Sequence, residues 1–100
     1  MSGPQPPATD AAGYDVKTFS NANNADQIIA AGTVTGSVII RTNPNNGGIV
    51  YIGFDSNVTT SNGFPLEAGD SISIDIDVDK ESLWGVADTA NDDVRWLALE

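Results

Sequence analysis

Residues 70–79 read DSISIDIDVD, and this stretch decides the fold because polar and apolar residues alternate along it from Ser71 onward. Ile72, Ile74, Ile76 and Val78 fall on one side of the pattern, while serines and aspartates fall on the other. A period of two residues is that of a β-strand with one buried face and one solvent-facing face. The stretch therefore predicts a half-buried strand with an acidic outer surface.

Shorter apolar segments separated by turn residues lie on both sides of this strand. We predict further strands over residues 14–20, 26–31, 34–42, 48–54, 58–60, 83–87 and 94–99. The intervening turns are NPNNGG at 43–48, a tight hairpin at SNGF (61–64), LEAGD at 66–70 with Gly69 suited to a positive φ, and a polar turn at 88–93. Residues 26–31 also fit a short helix capped by Asn24, and we prefer the strand.

Eight short strands at this spacing predict an all-β chain: an antiparallel β-sandwich or a jelly-roll-like small barrel. The first thirteen residues, MSGPQPPATDAAG, hold too little apolar surface to offset the entropy of ordering them. We therefore expect a disordered or extended N-terminal arm over 1–13, followed by a single domain over 14–100.

Charge excludes several classes of partner. Fourteen acidic residues oppose four basic ones, for a net charge of −10, and the four cations are scattered along the sequence. So few cations cannot neutralise a run of phosphates, which argues against nucleic acid and anionic membrane surfaces as partners. The acidity fits either ordinary solubility or a high-salt habitat, in which low salt would destabilise the fold. Residues 1–12 lack the basic and apolar segments of a signal peptide.

Catalytic and metal-binding patterns are sparse. With no histidine, no cysteine and no recognisable activated nucleophile, we expect neither an enzyme nor a bound cofactor. Asp75, Asp77 and Asp79 match the D-x-D-x-D motif that begins a calcium-binding loop. However, Lys80 stands where the loop needs glycine, and Val86 where it needs a bidentate glutamate. A solvated acidic strand face is the preferred interpretation, with an ion held between subunits as the alternative.

The last two predicted strands, residues 83–87 and 94–99, are apolar on both faces, so each needs apolar surface packed on its second face as well. The aromatic side chains Trp84 and Trp96 fit core packing or a subunit interface. Because Trp96 and Leu97 fall on opposite faces of one strand, one should line the core and the other an interface or second layer. The interface candidates are Trp84, Trp96, Leu97 and Leu99.

About half of the chain resembles a known pattern. The segments are GIVYIGFDSNVTTSNGFPLEAGDSISIDI (48–76), SLWGVAD (82–88) and DDVRWLAL (92–99). The sequence motifs in these segments, and their order, resemble those of small β-sandwich structural proteins of tailed bacteriophages and archaeal tailed viruses. The main departure is Trp84, where that pattern has tyrosine.

The resemblance implies a virion structural protein: a capsid decoration (cement), turret or head-fibre component, made in the host cytoplasm and placed on the capsid surface. It further implies a homo-oligomer, with a trimer favoured, that contacts the major capsid protein or other virion proteins. An alternative is a tail-fibre or spike module that binds a host-surface glycan, for which Tyr51, Asn57 and Asn62 are the candidate contacts.

Overall fold

The structure is a computed structural model that describes residues 11–30, 36–76 and 82–99. Within these ranges the chain forms strands and turns, and no helix is long and apolar enough to cross a membrane. The strands are β1 (Ala11–Phe19), β2 (Asp26–Ile29), β3 (Gly36–Thr42), β4 (Val50–Gly53), β5 (Phe64–Leu66), β6 (Ser71–Ile76), β7 (Leu83–Ala87) and β8 (Asp92–Leu99).

The eight strands form two four-stranded sheets. The first sheet has the order β1-β8-β3-β6, and the second has the order β2-β7-β4-β5. Every neighbouring pair is antiparallel. Strands pair as β1 with β8, β2 with β7, β3 with β6 and β4 with β5, as if one long hairpin had been rolled into two layers. This is the eight-stranded jelly-roll arrangement, which confirms the fold class predicted from the sequence.

The core lies between the inner faces of the two sheets. Strand alternation turns every second residue inward, and Phe19 closes the core near one end, where it is fully buried. The other buried apolar residues of this cluster are Ile29, Val38, Ile40, Val50, Ile52, Leu66, Leu83, Ala87, Val94 and Ala98. Burying aliphatic side chains contributes about 1.5–3 kcal/mol each, so this cluster is the main source of stability.

The alternation predicted for residues 70–79 is seen wherever that stretch is described. Ser71, Ser73 and Asp75 are exposed, whereas Ile72 and Ile74 are partly buried and pack against the core. The pattern of residues 77–79 lies outside the described residues. Since β6 is an edge strand of the first sheet, its isoleucines have core neighbours on fewer sides than those of β3.

The structure resolves the choice between helix and strand at residues 26–31, and it differs from the predicted strands at residues 58–60 and 64–66. Residues 26–29 form strand β2. Residues 58–60 do not form a strand: Val58 lies in the loop after β4, where its side chain is 6% exposed. Strand β5 instead pairs with β4, and a loop over residues 54–63 joins the two in place of the tight hairpin predicted at SNGF. β-Branched composition favoured a strand at 58–60, but packing of Val58 on the sheet overrides that preference.

Strand β1 begins three residues earlier than predicted. Strand β1 begins at Ala11, so residues 11–13, which we assigned to the arm, belong to the first sheet. Ala11 pairs with Leu99 and Gly13 pairs with Ala98, with an irregularity between the two pairs. The rest of the expected arm, residues 1–10, lies outside the described residues.

Aspartates fix the predicted NPNNGG turn at one end of the sandwich. Asp92 is 5% exposed, and its two carboxylate oxygens accept the backbone N–H groups of Gly47 and Gly48, both at 2.9 Å. Asp88 accepts the N–H of Ile49 at 2.9 Å. These contacts join the β3–β4 loop to the β7–β8 connection, so part of the chain's acidity is structural.

Asn46 and Asp93 add a reciprocal pair of bonds to the same end. The Asn46 side chain donates to the carbonyl of Asp93 at 2.9 Å and accepts its N–H at 3.0 Å. The turn after β5 follows its predicted chemistry as well: the N–H of Asp70 donates to the carbonyl of Glu67, and Gly69 has a φ of 84°. This end of the sandwich is therefore closed by hydrogen bonds between loops that are distant in sequence.

Candidate functional site: the outer face of the first sheet

The outer face of the first sheet carries a row of exposed apolar side chains. Directly paired residues share a face, and Tyr14 pairs with Leu97, which pairs with Ile39. These three side chains are 81%, 44% and 39% exposed, respectively. Val16, in the next row of β1, is 48% exposed. Four of the six large apolar residues found exposed among the described residues thus lie on this one face, and we call Tyr14, Leu97 and Ile39 the apolar row.

Two arginines lie at one end of this face. Arg41 of β3 pairs directly with Arg95 of β8, and Arg95 pairs with Val16 of β1. The chain has only four cations, so half of them meet here. The Arg95 side chain is 68% exposed, and its Nε lies 3.9 Å from Oδ1 of Asp93, a distance too long for a strong ion pair. Like charges placed directly opposite in a sheet repel each other.

An acidic group lies at the opposite end of the same face. Asp75 of β6 pairs with Ser37 of β3, two residues along β3 from Ile39 and four from Arg41. The Ser37 hydroxyl donates a hydrogen bond to Oδ1 of Asp75. Along the strands, these residues form an acidic, an apolar and a basic row about 6.7 Å apart, and Asp93, whose side chain is 17% exposed, follows the basic row.

The arginine end opens into a shallow cleft. Its lining consists of Arg41, Arg95 and the start of the β3–β4 loop, residues 42–45. Oδ1 of Asp93, on the outer side of β8 nearby, is buried without a hydrogen-bond partner. A second shallow groove is apolar and lies between the edge strands β5 and β6, where the exposed rings of Phe54 and Phe64 flank Ile72 and Ile74.

The outer face of the second sheet, by contrast, is covered at β4 by the chain itself. Gly53 lies on the outer side of β4, and a Cβ added there would come within 2.7 Å of the Val58 Cβ. A Cβ added at Gly63 would lie 2.6 Å from the Cβ of Tyr51. The β4–β5 loop therefore lies directly on the sheet, and both glycines are required by this close approach. The described residues place no comparable loop on the apolar row.

The predicted interface residues occupy different environments. Trp96 packs against the core and Leu97 is exposed on the outer face, in the opposed orientation that their spacing predicts. Trp84 is half-buried on the outer side of the second sheet, where its Nε1 donates to the Ser82 hydroxyl at 2.8 Å. Leu99 pairs through its backbone with Ser37 at the acidic end of the first sheet.

The ion-site candidates are described only in part, whereas the glycan-site candidates Asn57 and Asn62 lie together in the β4–β5 loop and line one shallow pocket. Asp75 is exposed and bonded to Ser37, while Asp77 and Asp79 lie outside the described residues. No group of three or more acidic side chains capable of holding a metal ion occurs among the described residues. The Asn62 side chain accepts the N–H of Thr59 and donates to the carbonyl of Asn57, so loop structure already occupies its amide.

Sequence reasoning identified Leu97 but missed Tyr14, Val16 and Ile39 as members of one surface. Each looked like an ordinary strand residue, since an exposed face and a buried face alternate with the same period. The pairing of β1 with β8 and of β8 with β3 brings them together. Compared with models of known protein families and with curated protein sequences, the chain gives no match.

Proposed function

We propose that this protein is a structural component of a virus particle, a capsid decoration or turret protein that acts by packing surfaces together. The observation that carries the proposal is the apolar row on an otherwise acidic protein. Side chains such as Leu97 and Ile39 remain 44% and 39% exposed in the single chain, although they are central in the sheet. Contiguous exposed apolar surface of this kind is typical of interaction sites.

The chemistry of the outer face and of the loops beside it suits assembly better than catalysis. The buried carboxylate of Asp92 accepts backbone N–H groups, and the partly buried carboxylate of Asp93 accepts the side-chain amide of Asn43 at 3.2 Å, so both serve loop structure. What the outer face offers a partner is apolar area flanked by charges of both signs. Apolar area supplies affinity, and flanking charge selects and orients the partner.

The fold is compatible with this role but does not select it. Jelly rolls occur in viral capsid domains, and they also occur in lectins and cupins. The resemblance of residues 48–99 to virion structural proteins of tailed viruses supports the capsid surface as the location. In this role the protein forms homo-oligomers and contacts the major capsid protein or a neighbouring virion protein.

The proposal is tested by mixing the purified protein with capsids that lack it. We expect saturable binding of many copies per particle, and at least tenfold weaker binding for Leu97→Ser, which removes apolar area from the row. Phe64→Ser is the matched control, because Phe64 is 58% exposed but lies off this face. Absence of saturable binding at every salt concentration would overturn the decoration role. Binding of a few copies only, together with binding to a host glycan, would favour the tail-fibre alternative.

A further inference from the structure

We infer that the outer face of the first sheet pairs with the same face of a second copy of this chain, in a two-fold contact with antiparallel strands. The inference rests on the proposed function in one respect, namely that this face is buried on assembly. The paired copies then contact the capsid through other surfaces, and Leu97→Ser weakens capsid binding by weakening the pairing. It adds the identity of the partner and the geometry of the contact. The charge arrangement of the face carries the argument.

The three rows of the face are self-complementary under one particular two-fold axis. The apolar row lies in the middle, the Arg41–Arg95 pair lies on one side of it, and Asp75 with Ser37 lies on the other. A two-fold axis between the two copies, perpendicular to the strands and passing over the middle row, reverses the strand direction. The apolar row then meets itself, and the basic row of each copy meets the acidic row of the other.

The lateral positions also match. Such an axis keeps each strand above its own equivalent, so Arg41 lies over Ser37 of the second copy, with Asp75 of that copy one strand away. Neighbouring strands are about 4.8 Å apart, a displacement that the long arginine side chain spans. The contact therefore forms two symmetry-related Arg41–Asp75 pairs. Each pair also relieves the repulsion between Arg41 and Arg95.

The other simple arrangement is electrostatically unfavourable. A two-fold axis parallel to the strands would leave the strand direction unchanged and would place the Arg41–Arg95 row over the same row of the second copy. Four guanidinium groups would then meet, with the acidic rows opposed as well. Like-charge contacts of this kind cost several kcal/mol in an interface. The positions of Arg41 and Asp75 thus select the antiparallel pairing.

Size and net charge make this a weak contact in dilute solution. Four strands and three rows of side chains span about 19 by 20 Å, or roughly 400 Å² per copy, which is about half the area of a standard specific interface and within the range of weak, transient contacts. Each copy also carries a net charge of −10. Screening of that long-range repulsion should strengthen pairing as salt rises, because the Debye length falls from about 30 Å at 0.01 M to 10 Å at 0.1 M. On a capsid, high local concentration compensates for weak pairwise affinity.

The test is a charge exchange, followed by sedimentation equilibrium from 10 µM to 1 mM protein in 0.5 M NaCl. We expect reversible dimers for the natural sequence and at least a tenfold weaker association for Arg41→Glu alone or Asp75→Lys alone. An equimolar mixture of the two variants should regain dimers, because both contacts of the mixed pair again join opposite charges. Glu67→Lys is the control: it makes the same charge change in the exposed β5–β6 turn, off the face, and should leave self-association within threefold of the natural sequence.

Several outcomes would overturn the inference. They are a natural sequence that stays monomeric at 1 mM in 0.5 M NaCl, a trimer in place of a dimer, or a mixture that associates no better than either variant alone. Circular dichroism of each variant verifies that the fold is retained, as expected for exposed positions. A monomer that still binds capsids saturably would refute self-pairing alone. A dimer that obeys the charge exchange but does not bind capsids would refute the decoration role alone.

Discussion

Replacement of Asp92 by alanine should be among the most damaging single changes outside the apolar core. The carboxylate is 5% exposed and accepts two backbone N–H groups, from Gly47 and Gly48, each at 2.9 Å. A hydrogen bond to a charged group contributes about 1.5–3 kcal/mol. Water reaches the exposed Gly47 amide and replaces part of its bond, so Asp92→Ala should lower the free energy of unfolding by about 3 kcal/mol.

The measurement is equilibrium urea unfolding in 0.15 M NaCl, followed by the fluorescence of the two tryptophans. For a domain of this size, a loss of 3 kcal/mol corresponds to a fall of roughly 12 °C or more in the thermal midpoint. Asp92→Asn should show a smaller loss, because its amide oxygen still accepts one of the two N–H groups while its NH2 group cannot accept the other.

Glu67→Ala provides the matched control. It removes the same charge from an exposed side chain in the β5–β6 turn and should change the free energy of unfolding by less than about 0.5 kcal/mol. A difference of less than 0.5 kcal/mol between Asp92→Ala and this control would refute the idea that Asp92 holds the β3–β4 loop. A loss as large for Asp92→Asn as for Asp92→Ala would show instead that charge, and not acceptor geometry, matters.

Three further changes test the packing of the fold by the same unfolding measurement. Ile40→Ala empties a fully buried site and should cost about 2–5 kcal/mol, so a cost below 1 kcal/mol would contradict its place in the core. Gly53→Ala puts a Cβ 2.7 Å from that of Val58 and should cost about 1–3 kcal/mol, with faster proteolysis of the β4–β5 loop; unchanged proteolysis would show that the loop does not depend on this contact. Gly69→Ala meets nothing closer than 3.9 Å but forces alanine to a φ of 84°, so it should cost about 1 kcal/mol, and a stabilised variant would contradict that backbone conformation.

Local patterns in the sequence predicted most strands but not the partners of those strands. The alternation of Ser71 to Asp75 depends only on neighbours in the chain and was interpreted correctly. The tight hairpin expected at SNGF is instead the end of a longer loop over residues 54–63. Turn chemistry does not say whether the next strand continues in the same sheet. The polar turn after β7 carries the chain from the second sheet to the first, so β7 and β8 are not paired with each other.

Residues 58–60 were misassigned and the candidate site was missed for the same physical reason: both depend on contacts that the local sequence does not show. Val58 is β-branched and apolar, and nothing local shows that it packs on Gly53 from outside the sheet. Likewise, the bonds from Asp92 to Gly47 and Gly48 join residues far apart in sequence, so these acids could be counted but not assigned a role. The apolar row exists only once Tyr14, Leu97 and Ile39 are brought side by side.

The pairing of β1 with β8 constrains how the protein is made. The first and last described strands are neighbours, with Ala11 opposite Leu99, so the first sheet cannot close until β8 has left the ribosome. Contacts between such distant segments slow folding, because a large loop must be closed before any pairing energy is gained. During synthesis β3 is without its β8 neighbour, and its free edge is a template for pairing between nascent chains. Neighbouring ribosomes on one message would bring such edges together, which makes wide spacing of ribosomes or chaperone cover an advantage for this fold.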